Sequence, residues 1–294
     1  MSRLNGILLV DKPEGCSSAE VVRVVKKRLA ADKVGHIGTL DPFATGLLPL
    51  CLGTGTKVAQ FLVAGRKTYT GTIRLGVETD TFDATGTITR TAPVPPCRPE
   101  VLQDLRRRFS GEYWQTPPMY SALKRQGIAL YKLARCGAVV EREARKVSIE
   151  EFTLVQSEKD TLSFSLSCSK GTYIRSLAAD LGAALGCGAH LLTLRRTACG
   201  SFTVGEAIPF SVLSIWGEGD ILPLLSPAQA LRDYRALPVS SETAERLRHG
   251  QQDALRTLPC AESIGETVRL LSADGELIAV AEWQQGHWRL VRVL

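Results

Sequence analysis

The chain is poor in the groups that build the commonest reactive sites. It has four histidines among 294 residues, and none stands at a zinc-ligand spacing from a cysteine pair. Its eight cysteines, at 16, 51, 97, 136, 168, 187, 199 and 260, include no C-x-x-C. A zinc site is therefore not expected. There is no G-x-G-x-x-G, which removes the usual dinucleotide fingerprint, and no G-x-S-x-G to anchor a serine-hydrolase triad. Residues 52–57, LGTGTK, look faintly like a phosphate loop but lack its four-residue gap and its Gly-Lys-Ser/Thr ending. No apolar run approaches the ~20 residues that span a bilayer, and no signal peptide opens the chain. Charge of neither sign dominates: 36 Lys and Arg stand against 30 Asp and Glu, a net +6. That excess permits a polyanionic partner without demanding one. A cytoplasmic protein with reduced thiols is the simplest expectation.

What is present is globular. Hydrophobic content is 44%, and the length suits two domains or one large one. GILLVDKPEGCSS (6–18) reads as a buried strand followed by a turn. Ser17 and Glu20 then form a capping box, and Val21, Val22, Val25 and Leu29 share one helix face. KTYTGTIRLG (67–76) alternates with period two, with Tyr69, Gly71, Ile73 and Leu75 on one side. ETDTFDATG (78–86) reads as a polar loop. A helix from Pro99 to about Ser110 carries a stripe of Val101, Leu102, Leu105 and Phe109 and stops near Gly111. Residues 161–186 read as strand, turn and helix, with Arg175 in the first helical turn. Residues 266–294 read as three short strands joined at Asp274-Gly275 and Gln285-Gly286. They mark a β-rich module of about sixty residues beginning after about residue 230, a size that is marginal alone, so it is expected to dock on the larger part.

One stretch poses the chemical question. GHIGTLDPFATG (35–46) holds a single carboxylate, Asp41, among glycines, threonines and a proline, with His36 five residues upstream. An Asp-Pro in such a loop serves as a turn or as a reactive group, and local reasoning leaves both open. Arg175 reads equally as a helix-start surface charge, and Tyr69 as core. Composition and periodicity end at an α+β protein with a β-rich tail.

Taken together, the motifs resemble the bacterial TruB family, the tRNA pseudouridine-55 synthases. The resemblance rests on LLVDKPEGCSS, VGHIGTLDPFATGLLPLCLG, KTYTGTIRLGVETDTFDATG, QTPPMYSALKRQGIALYKLAR, SCSKGTYIRSLAADLG and GAHLLTLRRTACGSF, in the family's order along nearly the whole chain. It implies an α+β pseudouridine-synthase domain over residues 1–230, built on a mixed, largely antiparallel sheet flanked by helices. It also implies a PUA-like RNA-binding module over 231–294. The implied reaction isomerises uridine in the T-arm of tRNA without a cofactor or metal. The enzyme would be a monomer that needs neither membrane nor protein partner.

Family correspondence gives the catalytic roles to Asp41, Tyr69 and Arg175: the carboxylate at the sugar, the stacking ring, and the cation that keeps the carboxylate ionised. It places His36, Tyr173, Leu194, Asp80 and Lys12 against the substrate, with Lys12 bracing the wall behind Tyr69. A buried uridine must be flipped out of its loop to reach such an aspartate, at a cost of a few kcal/mol. The clusters Lys26-Lys27, Arg66-Lys67, Lys124-Arg125, Arg142/Arg145/Lys146 and Arg195-Arg196 become candidates for phosphate contacts, of which about half are expected to touch RNA. The alternatives are a non-catalytic tRNA-binding or folding protein, an RNA-guided synthase of the related branch, and, more remotely, a base-excising glycosidase.

Overall fold

The computed structural model describes residues 4–138, 140–216 and 222–294. Apolar runs and their breakers shape its first elements. β1 (Gly6–Lys12) is buried almost throughout, as befits a strand covered on both faces. α1 (Ser18–Arg28) starts at the expected capping box, Ser17 with Glu20, and buries Val21 and Val25. β2 (Val34–His36) and β3 (Thr45–Leu52) pair antiparallel, and the loop between them carries Asp41. After the short α2 (Ala59–Val63), β4 (Lys67–Leu75) shows the predicted alternation, with Lys67, Tyr69, Ile73 and Leu75 buried.

The acidic stretch read as a loop forms the turn of a small hairpin, β5 (Val77–Thr79) with β6 (Ile88–Thr91), with only Glu78 and Thr79 in a strand. α3 (Pro99–Phe109) begins with proline at its first turn, and β7 (Gly111–Gln115) follows at once. Two short strands, β8 (Lys124–Arg125) and β9 (Ile128–Ala129), lead into α4 (Leu130–Arg135). β10 (Arg145–Glu158) and β11 (Thr161–Cys168) form a long antiparallel pair. α5 (Ile174–Leu185) ends on Gly186 in the left-handed conformation. β12 (Ala189–Cys199), β13 (Phe202–Thr203) and β14 (Ile208–Pro209) complete the set.

These strands build one ten-stranded sheet, with the path β14-β1-β3-β12-β4-β11-β10-β7; β13 pairs with β12, and β2 with β3. Most neighbours are antiparallel, but β3 runs parallel to β12 and β1 to β14. This is the expected mixed, largely antiparallel sheet. One face is covered by α1, α3 and α5 through a core that includes Val21, Val25, Ile73, Leu105, Leu162 and Leu177. The parallel β3–β12 contact positions the site, because it sets Gly46 beside Arg196. Gly46 has φ +101°, and a Cβ there would lie 2.3 Å from the Arg196 carbonyl oxygen, so only glycine allows this approach.

The C-terminal part has four strands rather than three: β15 (Arg235–Pro238), β16 (Thr267–Leu271), β17 (Leu277–Gln284) and β18 (His287–Val293). The additional β15 pairs parallel to β16. Its sequence, RALP, is too short and too proline-marked to read as a strand alone. Leu237, Leu247, Val268, Leu270 and Trp288 make a local core. A second cluster joins Leu231, Leu277 and Val280 to Ile7, Leu47 and Phe202, so this sheet packs directly on the larger one.

Candidate active site

Three chain segments meet at Asp41. The β2–β3 loop carries it, the first turn of α5 presents Arg175, and the β5–β6 hairpin supplies Asp83. Arg175 Nε donates to Asp41 Oδ2 at 2.9 Å and Nη2 to Oδ1 at 3.1 Å, a bidentate fork. Nη1 donates to the Thr81 carbonyl at 3.0 Å and lies 3.5 Å from Asp83 Oδ2; Nη2 also donates to the Tyr120 carbonyl at 2.8 Å. Four of the five guanidinium N–H groups thus have a hydrogen-bond acceptor, and Nη1 also forms the ion pair with Asp83. Only 5% of the Arg175 side chain is exposed, against 35% of Asp41. The cation is therefore a buried scaffold, and the carboxylate is the reachable partner.

Burial pushes the Asp41 carboxyl above its ordinary value, and Asp83 adds to the rise; Arg175 and Lys12 oppose it. Arg175 thus opposes the effect of burial, as the resemblance implied, without overcoming it. Burial is the larger effect.

Asp41 faces a cavity of about 240 Å³, far more than one water needs. Tyr69, Tyr173, Arg175 and Leu194 line it, as do Gly38, Lys67 and Arg196. Tyr69 is rigidly placed in mid-strand between β11 and β12, opposite Leu166 and Arg196. Burial drives its phenol up to about 12, partly offset by Arg196. Tyr173 precedes α5, and its backbone is pinned by Gln115: Nε2 donates to the Tyr173 carbonyl at 3.0 Å, and Oε1 accepts the Tyr173 N–H at 2.8 Å. The Arg145 guanidinium covers the Tyr173 ring at 4.7 Å. A bulge at Leu192 resets β12 so that Leu194 and Arg196 both point inward.

Three expected site residues lie outside the cavity lining. Lys12 is fully buried, and its ammonium donates to the carbonyls of Pro13, Cys16 and Pro42 at 2.8, 2.8 and 3.2 Å. All three protons are spent, so Lys12 has none for a substrate. It braces the Asp41 loop through Pro42 rather than the wall behind Tyr69. Asp80 is exposed on the hairpin, accepting from the Thr87 N–H at 2.7 Å. His36 is half-buried; its Nδ1 is buried with no hydrogen-bond partner, and burial followed by Arg196 lowers its pKa.

Sequence reasoning missed Asp83. It is 3% exposed, and its Oδ1 accepts from the Thr81 hydroxyl at 2.8 Å, the Thr85 N–H at 3.0 Å and the Thr85 hydroxyl at 2.6 Å. The DATG run was a turn signal, but nothing local distinguished Asp83 from Asp80. Gln115 and Arg145 were equally invisible as supports of Tyr173. The basic clusters differ in how free their charges are. Lys67 and Arg196 are buried. Arg195 forks onto Asp11, Arg66 pairs with Glu150 and Lys146 with Glu112. Lys26, Lys27, Lys124 and Arg125 remain exposed.

The fold and this aspartate–arginine cavity define a pseudouridine synthase. A solved Cbf5-Nop10-Gar1 complex contains a chain of the same fold, with TM-score 0.75 and 26% identity, covering 98% of this chain and 84% of that one. The chain belongs to the TruB family: residues 26–174 match the N-terminal domain of the TruB family pseudouridylate synthases, and 175–215 match the tRNA pseudouridylate synthase B C-terminal domain. It is 45% identical to tRNA pseudouridine synthase B of Ralstonia nicotianae over 99% of this chain and 94% of that protein. Its identity to the enzyme of the same name from Geobacter sulfurreducens is 41%, over 99% of each. Membership makes the protein an isomerase.

Proposed function

We propose that this enzyme converts uridine 55 in the T-loop of tRNA to pseudouridine, with Asp41 as the group that acts at the sugar. The observation that carries this reading is the forked Asp41–Arg175 pair opening on a cavity walled by Tyr69, Tyr173 and Leu194. The flipped base stacks on Tyr69. Asp41 attacks C1′ or removes the C2′ proton, and the electron pair of the C1′–N1 bond leaves with the uracil. The uracil turns and C5 bonds to C1′ as the Asp41–C1′ bond breaks or as the proton returns to C2′; C5 then gives up its proton and N1 takes one up. Substrate and product have the same atoms, so no oxidant or group donor is consumed. Arg175 keeps the carboxylate oriented. Asp83 holds Arg175, and Lys12 holds the loop from behind. His36 fills the gap left by the extruded base, and Asp80 stands at the RNA side of the hairpin.

Phosphate contacts come from the exposed Lys26-Lys27 and Lys124-Arg125 pairs. Residues 231–294 act as a PUA-like RNA-binding module beside the catalytic domain of 1–230. The enzyme works as a cytoplasmic monomer without guide RNA. Tritium release from a T-arm hairpin carrying 5-tritiated uridine tests the reading. Wild type releases tritium from the bare hairpin; Asp41→Asn keeps its fold and RNA affinity and releases none. Near-normal turnover by that variant, or a requirement for a guide RNA or protein partner, overturns it.

A further inference from the structure

Two cations in the cavity wall have no part in the reaction as described. Lys67 and Arg196 both line the cavity, are 7% and 0% exposed, and have no carboxylate partner among the described residues. Arg196 Nε donates to the Leu47 carbonyl at 2.7 Å and Nη2 to the Gly38 carbonyl at 3.0 Å. Its Nη1 is buried with no hydrogen-bond partner. Lys67 Nζ donates to the carbonyls of Val63 at 3.1 Å and Gly65 at 2.8 Å, leaving one proton uncommitted. Lys67 and Arg196 stand on neighbouring strands beside Tyr69, which is itself the cross-strand partner of Arg196.

The wall over this pair is thin. Gly38 has φ +77°, and a Cβ there would lie 3.2 Å from Arg196 Nη1 and 3.3 Å from Lys67 Cε. Gly38 itself lines the cavity, so no side chain of that loop residue screens the two cations from the cavity.

Burying two charges without a counter-ion costs several kcal/mol each. Bracing carbonyls does not by itself require a charge, because a neutral amide also donates to a carbonyl, though less strongly. By contrast, the Asp41–Arg175–Asp83 group contains two carboxylates for one guanidinium. The cavity therefore has an anionic group at the sugar-reacting carboxylate and an uncompensated cationic pair elsewhere in its wall.

We infer that Lys67 and Arg196 form an anion-stabilising wall for the uracil while it is detached from the ribose. The inference rests on the proposed reaction and specifies how its leaving group is held. When the C1′–N1 bond breaks, its electron pair goes to N1 and the negative charge spreads onto O2 and O4. The base must then turn without escaping or taking up a stray proton. Preorganised charge in a low-dielectric cavity is worth far more than in water and needs no reorganisation at the moment of cleavage. A backbone phosphate is the less suitable occupant, since it stays with the strand outside the cavity while both cations are inside.

The test compares a uridine hairpin with the same hairpin carrying 5-fluorouridine, whose base is a more acidic leaving group. Single-turnover loss of the N1-linked nucleoside is measured with RNA saturating. Lys67→Met is expected to slow uridine by roughly 10- to 100-fold but 5-fluorouridine less than about threefold, with Lys67→Arg recovering most of the loss. Arg196→Gln should show the same substrate dependence and supplies the result if Lys67→Met fails to fold. An equal loss on both substrates means that the cations only brace the fold, and the inference fails. A loss confined to RNA affinity points to a phosphate and also overturns it. If wild type makes no pseudouridine, the proposed function fails instead, before the variants are compared.

Discussion

Arg175→Lys separates charge from geometry at the site. The guanidinium serves five contacts on Asp41, Asp83, Thr81 and Tyr120 from a side chain that is 5% exposed. Lysine keeps the positive charge but has three N–H groups on a single atom and cannot reproduce a planar fork. At least two of the acceptors Asp41 Oδ1, Asp41 Oδ2, Thr81 O, Tyr120 O and Asp83 Oδ2 then lose their donor. Removing one partner from a buried pair costs about 3–5 kcal/mol, and retained charge puts this variant toward the lower end. At roughly 2 °C per kcal/mol for a chain of this size, Tm should fall by about 6 °C. The chemical loss should be larger than stability suggests. A carboxylate displaced by about 1 Å from its productive position forfeits roughly 100-fold in rate. Single-turnover pseudouridine formation at saturating hairpin should therefore drop 100- to 1,000-fold by this estimate, while Kd for RNA stays within about threefold because Arg175 is not at the surface. A turnover within threefold of wild type would refute the importance of the fork. A Kd that rises in step with the rate loss would show that Arg175 acts in binding instead.

Asp83→Asn should slow turnover and move the acidic limb of the pH–rate profile to lower pH, because Asp83 is one of the groups that raise the Asp41 pKa; an unmoved limb would separate Asp83 from Asp41. Lys12→Met should lower kcat with little change in Kd, since Lys12 touches Asp41's loop through Pro42 and has no proton free for RNA; an effect on Kd alone would contradict that. Asp180, on α5, is pushed by burial from 3.8 to about 6, with Arg108 opposing. It costs nothing below pH 3.8, where folded and unfolded states are both protonated. The cost grows as pH rises toward 6 and then levels at no more than about 3 kcal/mol. Asp180→Asn should therefore raise Tm at pH 7.5 and lose that gain near pH 4; a gain that persists at pH 4 would refute the burial effect.

The elements were legible where local chemistry speaks for itself. The Ser17–Glu20 capping box, the alternation through Tyr69 and the Pro99 and Gly111 boundaries all appear at the expected residues. Failures occurred where a long-range partner decides. The 78–86 loop was legible, but not that Asp83 bridges to Leu191 and the Ala84 N–H donates to the Leu191 carbonyl, contacts across the chain that no local pattern encodes. β15 exists because β16 lies beside it. Lys67 and Arg196 read as candidate phosphate contacts in pairs of basic residues, yet strand alternation and the β12 bulge turn both inward.

Sequence by itself determined the strands and helices that local chemistry marks, at 6–29, 67–76, 99–110 and 161–186, and, through motif order, which aspartate, tyrosine and arginine deserve attention. The segments follow from short-range sterics, capping and periodicity, which each carries with it; the three residues follow only from the resemblance to the TruB family. Only the tertiary structure decided that Asp83 rather than Asp80 joins Arg175, that the Lys12 ammonium is spent on three carbonyls, and that two cations are buried without a carboxylate partner among the described residues. Those outcomes depend on which strands become neighbours, because burial and ion pairing are properties of the space between segments.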